Sequence, residues 1–231
     1  MSLREIFLYS RQVNPEKRYY ERNFTDETYY YSIEDSIKVL EEFLLFQCFT
    51  LEGVIKFLTD LFNILERRIP KKNCLYVVSE PNGGKNYFFD CVKAALLNSG
   101  EIGNFNRFCN FPLQEAPKKR ILMWNEPNFE PSSIDTLKML FAGDSIACKI
   151  KHKCESIVTR TPIVVLSNTN VIPDNDIFKP RVMRYYWRVA SLLKNKTRKP
   201  YPLSIFYLLF KYNILSKNDI NFTNEEINYL S

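Results

Sequence analysis

The chain has 231 residues, of which 45% are hydrophobic and 25% charged, and it carries a formal net charge of +6. That length accommodates one full core with an accessory subdomain, and the charge suits an anionic partner without demanding one. A single histidine, His152, excludes zinc sites that need two histidines and any nuclease built on a His-hydrophobic-His metal motif.

Six cysteines, at positions 48, 74, 91, 109, 148 and 154, include no C-x-x-C pair. The pattern implies core thiols in a reducing, intracellular setting without structural zinc. No apolar run is long enough to cross a bilayer, and Met1-Ser-Leu-Arg4 lacks the apolar segment of a signal peptide, so no membrane partner is expected.

Residues up to about Tyr31, with Lys17, Arg18 and Arg22 clustered, read as an irregular lead-in. Ser32-Ile-Glu-Asp35 is a capping signal ahead of a helical stripe, Ile33, Ile37, Leu40 and Leu44. A second stripe, Val54, Leu58, Leu61 and Leu65, closes at Glu66-Arg67-Arg68, where basic residues suit the helix dipole. The two helices predict a small helical subdomain, either a subunit contact or the outer layer of the same domain.

The central stretch is Cys74 to Asp90. Leu75 to Val78 reads as a buried strand, Ser79-Glu-Pro-Asn-Gly-Gly84 as a tight loop, and Phe88, Phe89, Val92, Ala95 and Leu96 as the apolar face of a helix ending at Asn98-Ser-Gly100. Strand, glycine loop, Lys85 and helix form the layout of a phosphate-binding loop, in which backbone N–H groups and the helix N-terminus face the phosphates. Ser79, Glu80, Pro81, Asn82, Gly83, Gly84, Lys85 and Asn86 are therefore the candidate nucleotide contacts; the bland alternative is a glycine turn that binds nothing. Ser79 stands where the first glycine of the motif belongs, and Asn86 stands where a hydroxyl would meet magnesium.

Lys118-Lys-Arg120 leads into the strand Ile121 to Trp124, which ends at Asn125-Glu126. The basic triplet suits either a nuclear localisation patch or the solvated approach to a strand. Glu126 is the candidate acid to polarise an attacking water and help hold magnesium. Ser132 or Ser133 opens a helix through Ile134, Leu137 and Leu140, broken at Ala142-Gly-Asp144. The stretch from Lys149 to Arg160 predicts a hairpin with lysines near its tip. Lys151 and Lys153 alternate with His152 and would share one face of a strand. That hairpin is either merely solvated or a phosphate contact for nucleic acid. Thr161 to Ser167 is another buried strand, ending in Asn168-Thr-Asn170, and Pro180 to Trp187 is a basic-aromatic strand. Lys194 to Pro202 reads as a charged linker and Ile205 to Ile214 as a short apolar helix.

Taken together, Gly83-Gly-Lys-Asn86, Met123-Trp-Asn-Glu126, Ala142-Gly-Asp144 with the lysine hairpin, Pro162-Ile-Val-Val-Leu-Ser-Asn-Thr-Asn170 and Arg181 resemble the superfamily three helicases, most of all the helicase part of parvovirus non-structural replication proteins of the densovirus branch. The resemblance spans roughly Ser32 to Trp187. It implies an α/β, AAA+-type P-loop ATPase core, a mostly parallel sheet flanked by helices, over 69–190, with a helical oligomerisation subdomain in 1–68 and a linker and helix in 191–231. It implies ATP and Mg2+ as cofactors, with Lys85 on the phosphates and Asn86 and Glu126 on the metal. Asn168 matches the residue that positions the lytic water, and Arg181 the arginine finger given to a neighbouring subunit, with Arg184 the second choice. Lys151 and Lys153 match the DNA-gripping lysines. Asn125 departs from the family, replacing the first of its two acids at that strand end. The implied activity is 3′ to 5′ translocation on single-stranded DNA by a homo-oligomeric, hexameric ring in the host nucleus. The family's nickase domain is expected elsewhere, so the chain reads as the helicase portion alone. The competing reading is a degenerate module that binds ATP or DNA and assembles without efficient hydrolysis.

Overall fold

The computed structural model describes residues 1–13, 29–152, 154–218 and 220–230, with the side chains of Gln12 and Val13 left aside. Two compact units divide the chain. One comprises Met1–Phe62, Asn86–Leu96 and Ala190–Ser231, and the other Asn63–Lys85 and Leu97–Val189.

The first unit is helical: α1 (Leu3–Val13), α2 (Ile33–Cys48), most of α3 (Leu51–Leu65), the body of α4 (Lys85–Ala95), and near the C-terminus the helices Ser204–Lys211 and Asn224–Asn228. Ser32 caps α2 by accepting the Asp35 N–H at 3.1 Å, as its capping signal predicts. Helix α1 corrects the expectation of an irregular lead-in. Leu3, Ile6, Phe7 and Ser10 recur at helical spacing and are buried. Phe7 packs on Phe206, Tyr207 and Phe210 at ring separations of 4.9 to 5.6 Å. Arg11 pairs with Glu226 at 2.7 Å, and Glu226 also accepts the Tyr207 hydroxyl at 2.6 Å. Phe88 of α4 meets Phe57 at 5.6 Å and Phe89 at 5.1 Å. The basic cluster Lys17, Arg18 and Arg22 lies outside the described residues.

The second unit is built on a parallel sheet of β1 (Cys74–Val78), β2 (Ser99–Glu101), β3 (Ile121–Asn125), β6 (Ile163–Ser167) and β7 (Val182–Tyr186), in the order β2-β3-β6-β1-β7. β1 and β6 are buried at every position, which is why they read as continuous apolar runs rather than alternating ones. The register pairs Val78 with Ser167 and Leu166 with Asn125, so β1, β3 and β6 finish at one edge of the sheet. Helix α5 (Ile134–Ala142) ends at Gly143, whose φ of 82° gives the left-handed cap that a side chain would strain. Between α5 and β6, β4 (Ile146–Cys148) and β5 (Ser156–Val158) form a separate antiparallel hairpin.

Arg120 shows why the basic triplet is not a uniform charged patch. Its guanidinium is buried, donating to the Leu65 carbonyl at the end of α3 and pairing with Glu66, each at 2.6 Å. It supplies a donor to one of the carbonyls left over at a helix C-terminus.

Candidate nucleotide-binding site

The carboxyl ends of parallel strands in open α/β sheets form the crevice where ligands bind. Here the loop after β1, the residue after β3 and the residue after β6 meet at that edge. Lys85 is their hub and is only 7% exposed. Its ammonium donates to the Ser79 carbonyl and Ser79 Oγ, each at 2.8 Å, and to Asn168 Oδ1 at 3.0 Å. Asn168 in turn donates its backbone N–H to Glu126 Oε2 at 3.1 Å. Three segments separated by about forty residues each are thereby joined through two hydrogen bonds. Desolvation pulls the Lys85 ammonium below its ordinary pKa, and the Glu126 carboxylate pulls it back up.

The serine at the first position of the glycine motif has a structural counterpart at Gly83. A Cβ on Gly83 would lie 2.1 Å from Ser79 Oγ and 2.6 Å from Ser79 Cβ, so the serine fits only because Gly83 carries no side chain. Ser79 Oγ also donates to the Glu80 carbonyl at 2.9 Å. Asn82 and Gly84 take left-handed backbone angles, φ 65° and 79°, turning the loop into the helix. Glu126 has φ 47° and is held there by its N–H on the Leu166 carbonyl at 2.8 Å. Non-glycine residues in that region cluster at functional sites.

A loop closed so tightly that it excludes even one methyl group, with a buried ammonium at its centre, fits a phosphate chain. The donor set also fits Mg2+, which is bound through one or two carboxylates together with substrate phosphates and retained waters. Glu126 supplies a solvent-facing carboxylate for such an ion. Among the described residues no cluster of three or more His, Cys, Asp or Glu could cage a metal by itself.

Arg181 sits elsewhere. It precedes Val182, which pairs with Cys74 at the start of β1, so it lies at the sheet edge opposite the phosphate loop. Its guanidinium donates to the Ile177 carbonyl. Arg184, the second choice for a finger, is engaged with the loop at 170–174. Lys151 and His152 are exposed in the turn between β4 and β5, and His152 has φ 59°. Lys151 therefore lies in a turn rather than on a strand, and Lys153, the other lysine expected to share its face, lies outside the described residues.

Tyr76, in the middle of β1, lies outside every sequence motif of the site. Its hydroxyl donates to the Thr169 carbonyl and accepts the Val171 N–H, both at 2.9 Å, tying down the chain just after Asn168. A tyrosine inside an otherwise aliphatic buried strand is the available signal, because a buried phenol needs a partner.

The family of parvovirus non-structural protein NS1 matches residues 41–173. The initiator protein NS1 of Diatraea saccharalis densovirus is 41% identical over 225 residues, covering 93% of this chain and 40% of that protein. That of Junonia coenia densovirus is 41% identical over 229 residues, with the same coverage of 93% and 40%. The chain spans about two fifths of the length of these relatives. A crystal structure of JCV helicase with a bound acetamide has a TM-score of 0.65 at 12% identity, covering 100% of this chain and 68% of that one. At that identity the likeness speaks for fold alone, an α/β fold with a mostly parallel sheet flanked by helices.

Proposed function

Because the chain belongs to the parvovirus non-structural protein NS1 family, we propose that it is the ATP-driven DNA helicase motor of a viral replication initiator. The observation that carries this reading is the Lys85–Asn168–Glu126 chain of hydrogen bonds at the carboxyl edge of the sheet. A glycine turn without a ligand would have no need to join a buried ammonium to a sensor amide and a strained carboxylate.

Each residue then has a chemical task. Lys85 gives its ammonium to the β- and γ-phosphates, exchanging the Ser79 and Asn168 oxygens for phosphate oxygens. Glu126 orients the attacking water and accepts its proton. Asn168 places that water with its amide. Asn86 and Glu126 would hold Mg2+, which neutralises charge on the phosphates when bound. Arg181 cannot serve its own site: four strand residues of ~3.3 Å each, roughly 13 Å, separate the two edges of the sheet. An arginine finger must come from a neighbour, so the reading includes a homo-oligomeric ring, hexameric by the family's pattern, acting in the host nucleus and moving 3′ to 5′ on single-stranded DNA. The lysines of the β4–β5 turn grip the strand through its phosphates, which suits a motor indifferent to sequence.

Steady-state ATP hydrolysis, with and without single-stranded DNA, tests the reading. Turnover stimulated by DNA and abolished in Lys85→Ala is expected. Nucleotide binding without turnover would instead favour an assembly module built on a degenerate motor.

A further inference from the structure

Asn168 is the pivot of the site, and nothing in its own strand explains how the chain beyond it stays in place. After Ser167 the backbone leaves the sheet and runs exposed through Asn168, Thr169 and Asn170. Surface loops of this kind open easily unless side chains from rigid elements hold them.

Two strands supply the hold. In the β1–β7 register Tyr76 is the partner of Arg184. The Arg184 guanidinium lies 5.3 Å from the centre of the Tyr76 ring. From there Arg184 donates to Asn170 Oδ1 at 3.2 Å, to the Ile172 carbonyl at 2.8 Å and to the Pro173 carbonyl at 2.5 Å. Its Nε lies 3.4 Å from the Asp174 carboxylate. Tyr76 secures the intervening residues through Thr169 and Val171. Every residue from Thr169 to Asp174 thus makes a polar contact with one of these two side chains. Arg184 is 10% exposed at its side chain, so a surface ion pair with Asp174 is not the reason for its burial. Its fork is spent on two backbone carbonyls and the Asn170 side-chain oxygen, a geometry that lysine cannot reproduce.

We propose that Arg184, with Tyr76, is a positioning residue for hydrolysis. It clamps the loop at 169–174 so that Asn168 keeps its N–H on Glu126 and its amide in place for the lytic water once Lys85 turns to phosphate. The proposal rests on the function assigned above, in which Asn168 places the lytic water. It also gives β7 two tasks, since the strand that begins beside Arg181 carries the clamp on the cis site two residues further along.

The test combines kinetics with amide exchange on the full chain. Arg184→Ala is expected to lower kcat for ATP by roughly 10- to 100-fold, the scale of a misplaced group, while KM stays within about twofold. Arg184→Lys should fall between wild type and Ala. In an Asn168→Ala background, Arg184→Ala should cost nothing further, because the two act through one element. Independent of turnover, the N–H groups of Asn168 and Val171 should exchange at least about tenfold faster in Arg184→Ala, with global melting little changed. If Arg184→Ala does not fold, Tyr76→Phe replaces it in the same measurements, since it removes only the hydroxyl. An additive loss in the Asn168→Ala background, or unchanged exchange at Asn168 and Val171, would overturn the proposal. If wild type does not hydrolyse ATP, the assigned function fails by itself, and the exchange data still decide whether the clamp exists.

Discussion

In the proposed function, Lys85 and Glu126 divide the work of the site between charge and proton transfer. Lys85 is held by oxygens of Ser79 and Asn168 at 2.8 to 3.0 Å, ready to exchange them for phosphate oxygens. Glu126 keeps one carboxylate oxygen on the Asn168 N–H and faces solvent where a water would attack. Glu126→Gln preserves shape and hydrogen bonding but cannot take a proton. It should bind nucleotide as well as wild type and lose turnover by roughly 100-fold or more, the usual weight of a positioned acid–base group. Titration of a fluorescent ATP analogue beside a turnover assay measures both, and equal turnover in the two proteins would remove Glu126 from catalysis. At this scale the sequence was informative wherever chemistry needs a particular residue type: Lys85, Glu126 and Asn168 were all singled out, and they meet. Tyr76 and Arg184 were not given their roles, because a buried phenol and a strand arginine acquire meaning only from the carbonyls beside them.

Among the elements, the β4–β5 hairpin stands apart from the sheet and presents its basic turn to solvent. If that turn grips DNA, replacing Lys151 and Lys153 together by Ala removes about two phosphate contacts. The slope of log affinity against log salt for single-stranded DNA should then fall by roughly 1.4, with basal ATP hydrolysis retained. An unchanged slope would make the hairpin merely solvated. The hairpin, the buried strands and the helix capped by Ser32 were legible because each repeats a simple pattern over several residues, whereas Ser133 precedes its helix without a side-chain cap. The misses have physical causes. α1 hides its apolar face, Leu3, Ile6 and Phe7, among polar neighbours just before a run without pattern. β2 consists of Ser99, Gly100 and Glu101, poor strand formers whose pairing with β3 comes from tertiary context; a Cβ on Gly100 would lie 2.5 Å from the Glu115 carbonyl oxygen. The last helix had its signal in Thr223 and Glu226, a complete capping box in a short polar segment.

For the whole molecule, the decisive feature is that the proposed finger and the phosphate loop occupy opposite edges of one sheet. A single chain would then hold half of each of two sites. Mixing Arg181→Ala chains with Lys85→Ala chains should restore part of the activity lost in each, because some interfaces combine one intact half from either parent. The finger carries on the order of 10³-fold or more in rate, so even partial rescue stands well above background. Absence of rescue at every mixing ratio, with assembly confirmed by sedimentation, would count against a shared site.

Movement along DNA driven by hydrolysis at this edge of the sheet is the core of the proposed function. Its most direct test is displacement of a labelled strand from a duplex bearing a 3′ single-stranded tail, with the chain and Lys85→Ala side by side. Displacement is expected to require ATP, to require the 3′ tail and to disappear in Lys85→Ala. No displacement by a preparation that binds both ATP and the tailed duplex would contradict it.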